Sequence, residues 1–551
     1  MHMNTSKKQI LILGGGFAGV YTARCLERLL SSEEASITLV NRENYWVYQP
    51  MLPEVISGAI GLTNVVSPIR RLCPRTNLVM REVEDIDLNG KIVTVSPGFR
   101  PRPLKLSYDY LVIALGNITN YHGMPGMLEN AAPFRTLADA MALRNHLIHV
   151  LEEADVEEDL DLSNKLLTFV VAGGGFSGVE VMAELNDFVD TVKKNYLRLR
   201  NRPHRCVIVQ AGERILPEMA APLALFAQKI LRKRGVEIIL EDRLVAATSE
   251  KAILKSGKEI ACKTIISTVP SALPPVVEKL DCAKERGKLL VDNGLALKGY
   301  EGQVWALGDC AYVRTVAGSV APPTAQHAIR EATTAAINIA ATVHGGKQSQ
   351  SQFAFEGLGT LGSLGHGSAV AQVFGLKVSG LLAWFLWRCI YLMKMPGLNR
   401  KVRIATDWLL HLLFPPDLAQ TKVAVESDLK RQHFEPGEVV FHEGDLGDSV
   451  YVIESGQCEV VRQEDGAPKL LATLQTGDYF GEMALLSDKT RNASILCKTA
   501  MDVLLIPKDD FDKLRKSVPA FGDAFRQLAE KHAAADIQAA QRAMAARGSD
   551  T

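Results

Sequence analysis

Residues 9–19 read QILILGGGFAG, and residues 167–178 read LTFVVAGGGFSG. In each, a short apolar run ends in three glycines and opens into an amphipathic stretch, the pattern of a buried parallel strand, a tight loop and a helix. The first copy predicts a strand to Leu13, a helix from about Ala18 to Leu30 and a second strand over Ile37–Val40. The second repeats the sequence of elements over Leu167–Val209. Two βαβ units about 160 residues apart imply two doubly wound sheets, one nested within the sequence of the other, and two dinucleotides.

The glycines have separate duties. Gly14 permits the tight turn, Gly16 lets a pyrophosphate approach the backbone, and Gly19 lets helix and strand pack closely, with the phosphates at the positive helix N-terminus. Gly173, Gly175 and Gly178 repeat the set. The residue closing the second strand of such a unit normally bonds the adenosine ribose and is normally acidic. Here the positions hold Asn41 and Gln210. An amide still bonds a ribose hydroxyl, and at Gln210 it does not repel a 2′-phosphate, so both NADH and NADPH stay open.

The rest of the composition narrows the class. Lys+Arg and Asp+Glu both total 62 in 551 residues, so no bulk charge points to nucleic acid. Nine scattered cysteines include no Cys-x-x-Cys, which suits a reducing compartment and argues against a disulfide reductase. No metal site is expected. No apolar signal region precedes the first strand, and no apolar run reaches the ~20 residues that span a bilayer.

Further motifs carry a resemblance over residues 9–414: NYWVYQPMLPEV at 44–55, YDYLVIALGN at 108–117, VWALGDCA at 304–311 and APPTAQHA at 321–328. With the glycine loops they make the chain resemble the type II NADH:quinone oxidoreductases of the two-dinucleotide flavoprotein superfamily, with a glutathione-reductase-like α/β fold. The resemblance implies FAD and NAD(P)H as cofactors and a membrane quinone as acceptor. It places Gly116 against FAD, Asp309 on the ribityl chain, Ala325 and Gln326 beside the flavin ring where quinone arrives, and Glu180 on the nicotinamide side. Each has a plainer reading beside it: Asp309 as a helix cap, Glu180 as a salt-bridged carboxylate, Gln326 as an amide satisfying backbone. One departure stands out. The family often has AQxAxQ, whereas this chain has AQHAIR, ending in Arg330. A ferredoxin- or rubredoxin-type reductase is the alternative enzyme, and a redox sensor with little turnover the alternative outside catalysis.

Residues 380–414 are rich in Trp and Leu. Over Lys401–Phe414, Arg403, Asp407 and His411 form one polar stripe, with Trp408, Leu409, Leu412 and Leu413 off it. Arg400, Lys401 and Arg403 suit anionic head groups, and Trp384, Trp387 and Trp408 suit a membrane interface. The expectation is peripheral attachment on the cytoplasmic side of the cell membrane; packing into the core or a homodimer interface is the other use of such a helix.

After Pro415-Pro416, turn pairs such as Pro436-Gly437, Ser455-Gly456 and Asp465-Gly466 separate short apolar runs, the pattern of an all-β roll. Residues 434–460 and the cassette FGEMALLSDKTRNAS at 480–494 resemble a cyclic-nucleotide-binding domain. That likeness implies cAMP or cGMP as regulator, held by Gly481, Glu482, Arg491 and Ser494, with a short helix over Ala484–Leu486; a roll used only for docking is the alternative. The expected domains are 8–345 (FAD about 8–125 and 290–345, NAD(P) about 165–285), a cap over 346–416, the roll over 420–520 and an Ala-rich tail over 521–551.

Overall fold

A computed structural model describes residues 7–98, 102–121, 124–248, 250–269, 271–346, 351–420, 430–434, 436–445, 449–464, 467–483, 490–508 and 511. The chain forms two compact units, Met1–Val93 with Leu106–Thr421, and Thr94–Lys105 with Lys422–Thr551. The Asp465-Gly466 turn, the Ala484–Leu486 helix and the Ala-rich tail fall outside the described residues.

In the first unit, β1 (Lys8–Leu13), α1 (Phe17–Leu29) and β2 (Ala35–Asn41) form the expected βαβ. They build a five-stranded parallel sheet with β3 (Asn77–Met80), β4 (Tyr110–Ile113) and a late strand, Val304–Ala306. The strand Val304–Ala306 returns next to β4 after about 190 residues, and the strands of the inserted sheet all lie within that interval. The inserted sheet is also parallel: Ala131–Pro133 (β5), Thr264–Ser267, Thr168–Ala172 (β6), Arg205–Val209 and Val236–Ile239, in that spatial order. All five residues of β6 are buried, as a strand covered on both faces requires. The short helix Pro53–Ser57 is α2; a capping box at Thr136 and Asp139 starts α3 (Leu137–Val156), and α4 (Phe176–Val192) follows the second glycine loop. The strands Arg205–Val209, Val236–Ile239, Thr264–Ser267 and Val304–Ala306 are β7, β8, β9 and β10.

The helix α5 (Ala325–Val343) packs on α1. After it, β11 (Gly359–Ser363), β12 (Ala369–Val373) and β13 (Leu376–Gly380) form an antiparallel sheet. Two helices complete the unit, α6 (Leu381–Lys394) and α7 (Leu398–Leu413). No helix among the described residues is long and apolar enough to cross a membrane.

These helices correct one expectation. Trp384, Trp387 and Trp408 do not sit at a surface; they are 7%, 2% and 7% exposed. Trp384 and Trp408 clasp the Arg388 guanidinium from two sides, at 4.1 and 4.4 Å, and the Trp408 indole donates to Glu54 Oε2 at 2.9 Å. A buried charge with a matched carboxylate and two aromatic faces holds the rings more firmly than an interface would. The polar stripe divides: Asp407 accepts from Gly61 N–H and Asn64 Nδ2, while Arg403 stays on the surface with Asn399. What faces outward is apolar: Leu381, Leu382 and Phe385 on α6, and Leu409, Leu412 and Leu413 on α7.

The second unit is the expected roll, with two four-stranded antiparallel sheets. Phe441, Ile453, Cys458, Phe480, Ile495 and Val503 lie in the core between them.

Candidate functional site

The glycine loops divide into glycines closed in by the fold and glycines that border open space. Gly14 has φ +101°, and a Cβ there would lie 2.3 Å from Ala114 O; one on Gly19 would lie 1.8 Å from Gly14 O. Gly173 and Gly178 repeat this, with φ +110° at the first and 1.9 Å to Gly173 O at the second. Gly16 is different: a Cβ there would meet nothing within 4 Å, and at Gly175 only Glu218 Oε1 at 3.9 Å. Gly116, at φ +67°, faces open space too. Those three leave the open space beside the backbone that a pyrophosphate would need. The residues therefore fit two dinucleotides.

Asn41 and Gln210 behave alike. Asn41 Oδ1 accepts from Gly15 N–H at 2.7 Å, and Gln210 Oε1 accepts from Gly174 N–H at 2.8 Å. Each amide fixes the middle glycine of its own loop.

Asp309 lies in a single turn, Gly308–Cys310, after β10. Burial raises its carboxyl pKa, opposed by the charges of Lys288 and Arg135. A residue with no obvious motif anchors this turn. Glu331 on α5 is buried and accepts from Gly308 N–H at 2.7 Å. Burial pushes its pKa up to about 7. The signal was a lone carboxylate in an otherwise Ala-rich helix.

Ala325 and Gln326 open α5. Gln326 Nε2 donates to Gly359 O at 3.0 Å, and its Oε1 accepts from Leu358 N–H at 3.1 Å. An amide has two N–H groups and two lone pairs, so one of each is left over from this backbone grip. Glu180, on α4, is buried and accepts from Ser363 N–H at 2.9 Å. Burial raises its pKa to about 8, with the Glu54 charge adding to the rise. Two more buried carboxylates stand near it. Glu184, one turn along α4, accepts from Ser57 Oγ at 2.5 Å; its pKa is raised by burial and by Glu54. Glu54, in the short helix Pro53–Ser57, pairs with Arg388 at 3.2 Å. A cavity of about 320 Å³ adjoins this group, bordered by Ser57, Glu184, Asp187, Arg388 and His411. Glu54, Glu184 and Arg388 were not singled out from the sequence, because their convergence crosses up to 334 positions; Glu331 was missed because its bond to Gly308 spans 23 positions and follows no motif.

In the roll, Arg491 and Glu482 are both buried. Arg491 donates to Gly481 O at 2.6 Å and Ser449 O at 2.8 Å, with its guanidinium 4.2 Å from the Phe441 ring. A Cβ on Gly481 would lie 2.6 Å from that guanidinium. Ser494 Oγ accepts from Glu443 N–H at 2.9 Å, so it serves the neighbouring turn. Gly481 and Arg491 are therefore in contact, while Ser494 is bonded elsewhere.

Known proteins resemble this chain domain by domain. A model of the pyridine nucleotide-disulphide oxidoreductase family matches residues 8–332, one of the NDH2 C-terminal domain matches 358–417, and one of the cyclic nucleotide-binding domain matches 431–517. The chain is 27% identical over 394 residues to a type II NADH:quinone oxidoreductase of Staphylococcus aureus, covering 70% of this chain and 95% of that protein. The corresponding protein of Staphylococcus epidermidis is 28% identical over the same coverage. Among solved structures, NDH2 from Plasmodium falciparum in complex with NADH superposes with TM-score 0.70 at 20% identity, over 75% of this chain and all of that one. A sulfide:quinone oxidoreductase from Aquifex aeolicus gives 0.55 at 18% identity, over 70% and 90%.

Proposed function

We propose that this chain, which belongs to the pyridine nucleotide-disulphide oxidoreductase family, is an FAD-dependent NAD(P)H:quinone oxidoreductase that does not pump protons. The observation that carries the reading is the cap. The NDH2 C-terminal match, 358–417, covers the strand gripped by Gln326 and Glu180 and both helices with outward apolar faces. A ferredoxin-type reductase has no use for such a face; an enzyme collecting a lipid-soluble acceptor does.

When bound, FAD supplies the redox chemistry, taking a hydride and returning two electrons. The protein's part is placement. Gly16 and Gly116 receive one dinucleotide and Gly175 the other, with Asp309 on the ribityl chain and Asn41 and Gln210 under the loops. Quinone reduction takes a hydride and one proton. Glu180, with a pKa of about 8, carries a proton at pH 7 that a normal carboxyl lacks. Gln326 retains one N–H and one lone pair for the acceptor. The apolar faces of α6 and α7 rest on the membrane surface, at the cytoplasmic side. The roll takes cAMP or cGMP at Gly481, Glu482 and Arg491 and modulates turnover.

Steady-state oxidation of NADH by the flavin-loaded full chain, with a short-chain quinone and with ferredoxin as rival acceptors, tests the reading. Turnover with quinone and none with ferredoxin is expected; the reverse overturns it.

A further inference from the structure

Arg330, the departure from the AQxAxQ pattern, lies four residues beyond Gln326 on α5 and so on the same helix face. Its guanidinium stands 5.4 Å from the Phe355 ring, which also meets His327 at 5.1 Å. Among the described residues, Arg330 makes no ion pair with a carboxylate. A guanidinium held against an aromatic ring without a counter-ion favours an anionic ligand.

We propose that Arg330 forms a cationic rim on the acceptor site, opening it to a second acceptor class: quinones with an ionised hydroxyl, carboxyl or sulfonate group on the ring. Arg330 is the residue that determines this specificity. The inference rests on the assignment of Gln326 to the acceptor site. The reaction is balanced as for any quinone: NADH gives a hydride and the medium a proton, both quinone carbonyls become hydroxyls, and the anionic substituent keeps its charge. The Phe355 ring limits where the Arg330 guanidinium can swing, so its charge is presented from a set position and less rotamer entropy is lost on binding.

The test uses the flavin-loaded full chain and two water-soluble acceptors, 1,4-naphthoquinone-2-sulfonate and neutral 2-methyl-1,4-naphthoquinone. Arg330→Gln is expected to raise KM for the sulfonate about 5–10-fold while moving KM for the neutral quinone less than about twofold. Arg330→Lys keeps the charge without the planar stack and is expected to stay within about twofold of wild type for both. Raising ionic strength from about 20 to about 500 mM should weaken the wild-type response to the sulfonate and leave that of Arg330→Gln nearly flat. Quenching of flavin fluorescence by the sulfonate, without NADH, reads binding apart from turnover and should weaken in parallel. Equal effects of Arg330→Gln on both acceptors, or Arg330→Lys behaving as Arg330→Gln, overturn the inference and leave Arg330 a packing residue. Wild type that reduces the neutral quinone but not the sulfonate overturns the inference alone. Reduction of neither overturns the acceptor-site reading as well.

Discussion

Gln326 and Glu180 hold opposite ends of one five-residue strand: Gln326 bonds the carbonyl of Gly359, and Glu180 takes the N–H of Ser363. At the ordinary strand rise these anchor points are about 13 Å apart. The strand belongs to the cap, while the two side chains come from helices of different parts of the flavoprotein unit. A cap that shifts must therefore disturb both groups at once.

Glu180 sets a pH limit. Its pKa is raised from 4.5 to about 8 by burial, so the folded protein holds a proton there that the unfolded chain has released. The stability associated with that proton is fully present below about pH 4.5 and is lost as pH rises through about 8. Glu180→Gln should shrink the fall in Tm between pH 6 and pH 9, and should remove a basic-limb pKa near 8 from the kcat profile for quinone. A Tm difference between those pH values as large as wild type's would count against the assignment.

Gln210→Glu keeps an acceptor for Gly174 N–H, so the loop should hold its shape while gaining a charge. NADPH turnover is expected to fall on the order of tenfold, with NADH little changed. Paired kcat/KM values decide it, and an equal fall for both nucleotides would show only a damaged loop.

Removal of the Glu331 carboxylate leaves the Gly308 N–H without its acceptor. Such an orphan costs about 1–3 kcal/mol, or roughly 5–150-fold in an equilibrium. Glu331→Ala should weaken FAD retention by that order, read as the ratio of flavin to protein absorbance after dialysis. Glu331→Gln, which still accepts the bond, should retain the flavin.

Leu409 and Leu413 are 58% and 67% exposed on the outward face of α7. Burying a leucine is worth about 1.5–3 kcal/mol, so Leu409→Glu with Leu413→Glu should release the enzyme from liposomes. Turnover of a water-soluble quinone should persist. Reversing Lys401 and Arg403 tests head-group attraction; Arg400 is unsuitable, because it donates to Asn64. Unchanged sedimentation of the leucine variant would place the membrane contact elsewhere.

A phosphate that takes Arg491 must compete with the carbonyls of Gly481 and Ser449. Titration of the full chain should nevertheless give binding heat with cAMP or cGMP, and Arg491→Lys should lose it, since an ammonium cannot reproduce the planar fork. No heat with either nucleotide would reduce the roll to a scaffold.

The sequence by itself determined the two glycine loops and the βαβ units around them, because each is settled within about 35 to 40 residues by strand, turn and helix preferences. It also determined the Arg330 substitution and the cassette residues, which are matters of identity. Tertiary structure alone decided which way the Trp-rich helices face. A 3.6-residue period separates two faces of α7 but does not say which is inside; the buried Glu54–Arg388 pair does, by drawing Trp384 and Trp408 inward and leaving the leucines out. The same holds for Glu331 and Glu184. Their raised pKa values come from burial and from neighbours brought together across the fold, and no local spacing records that.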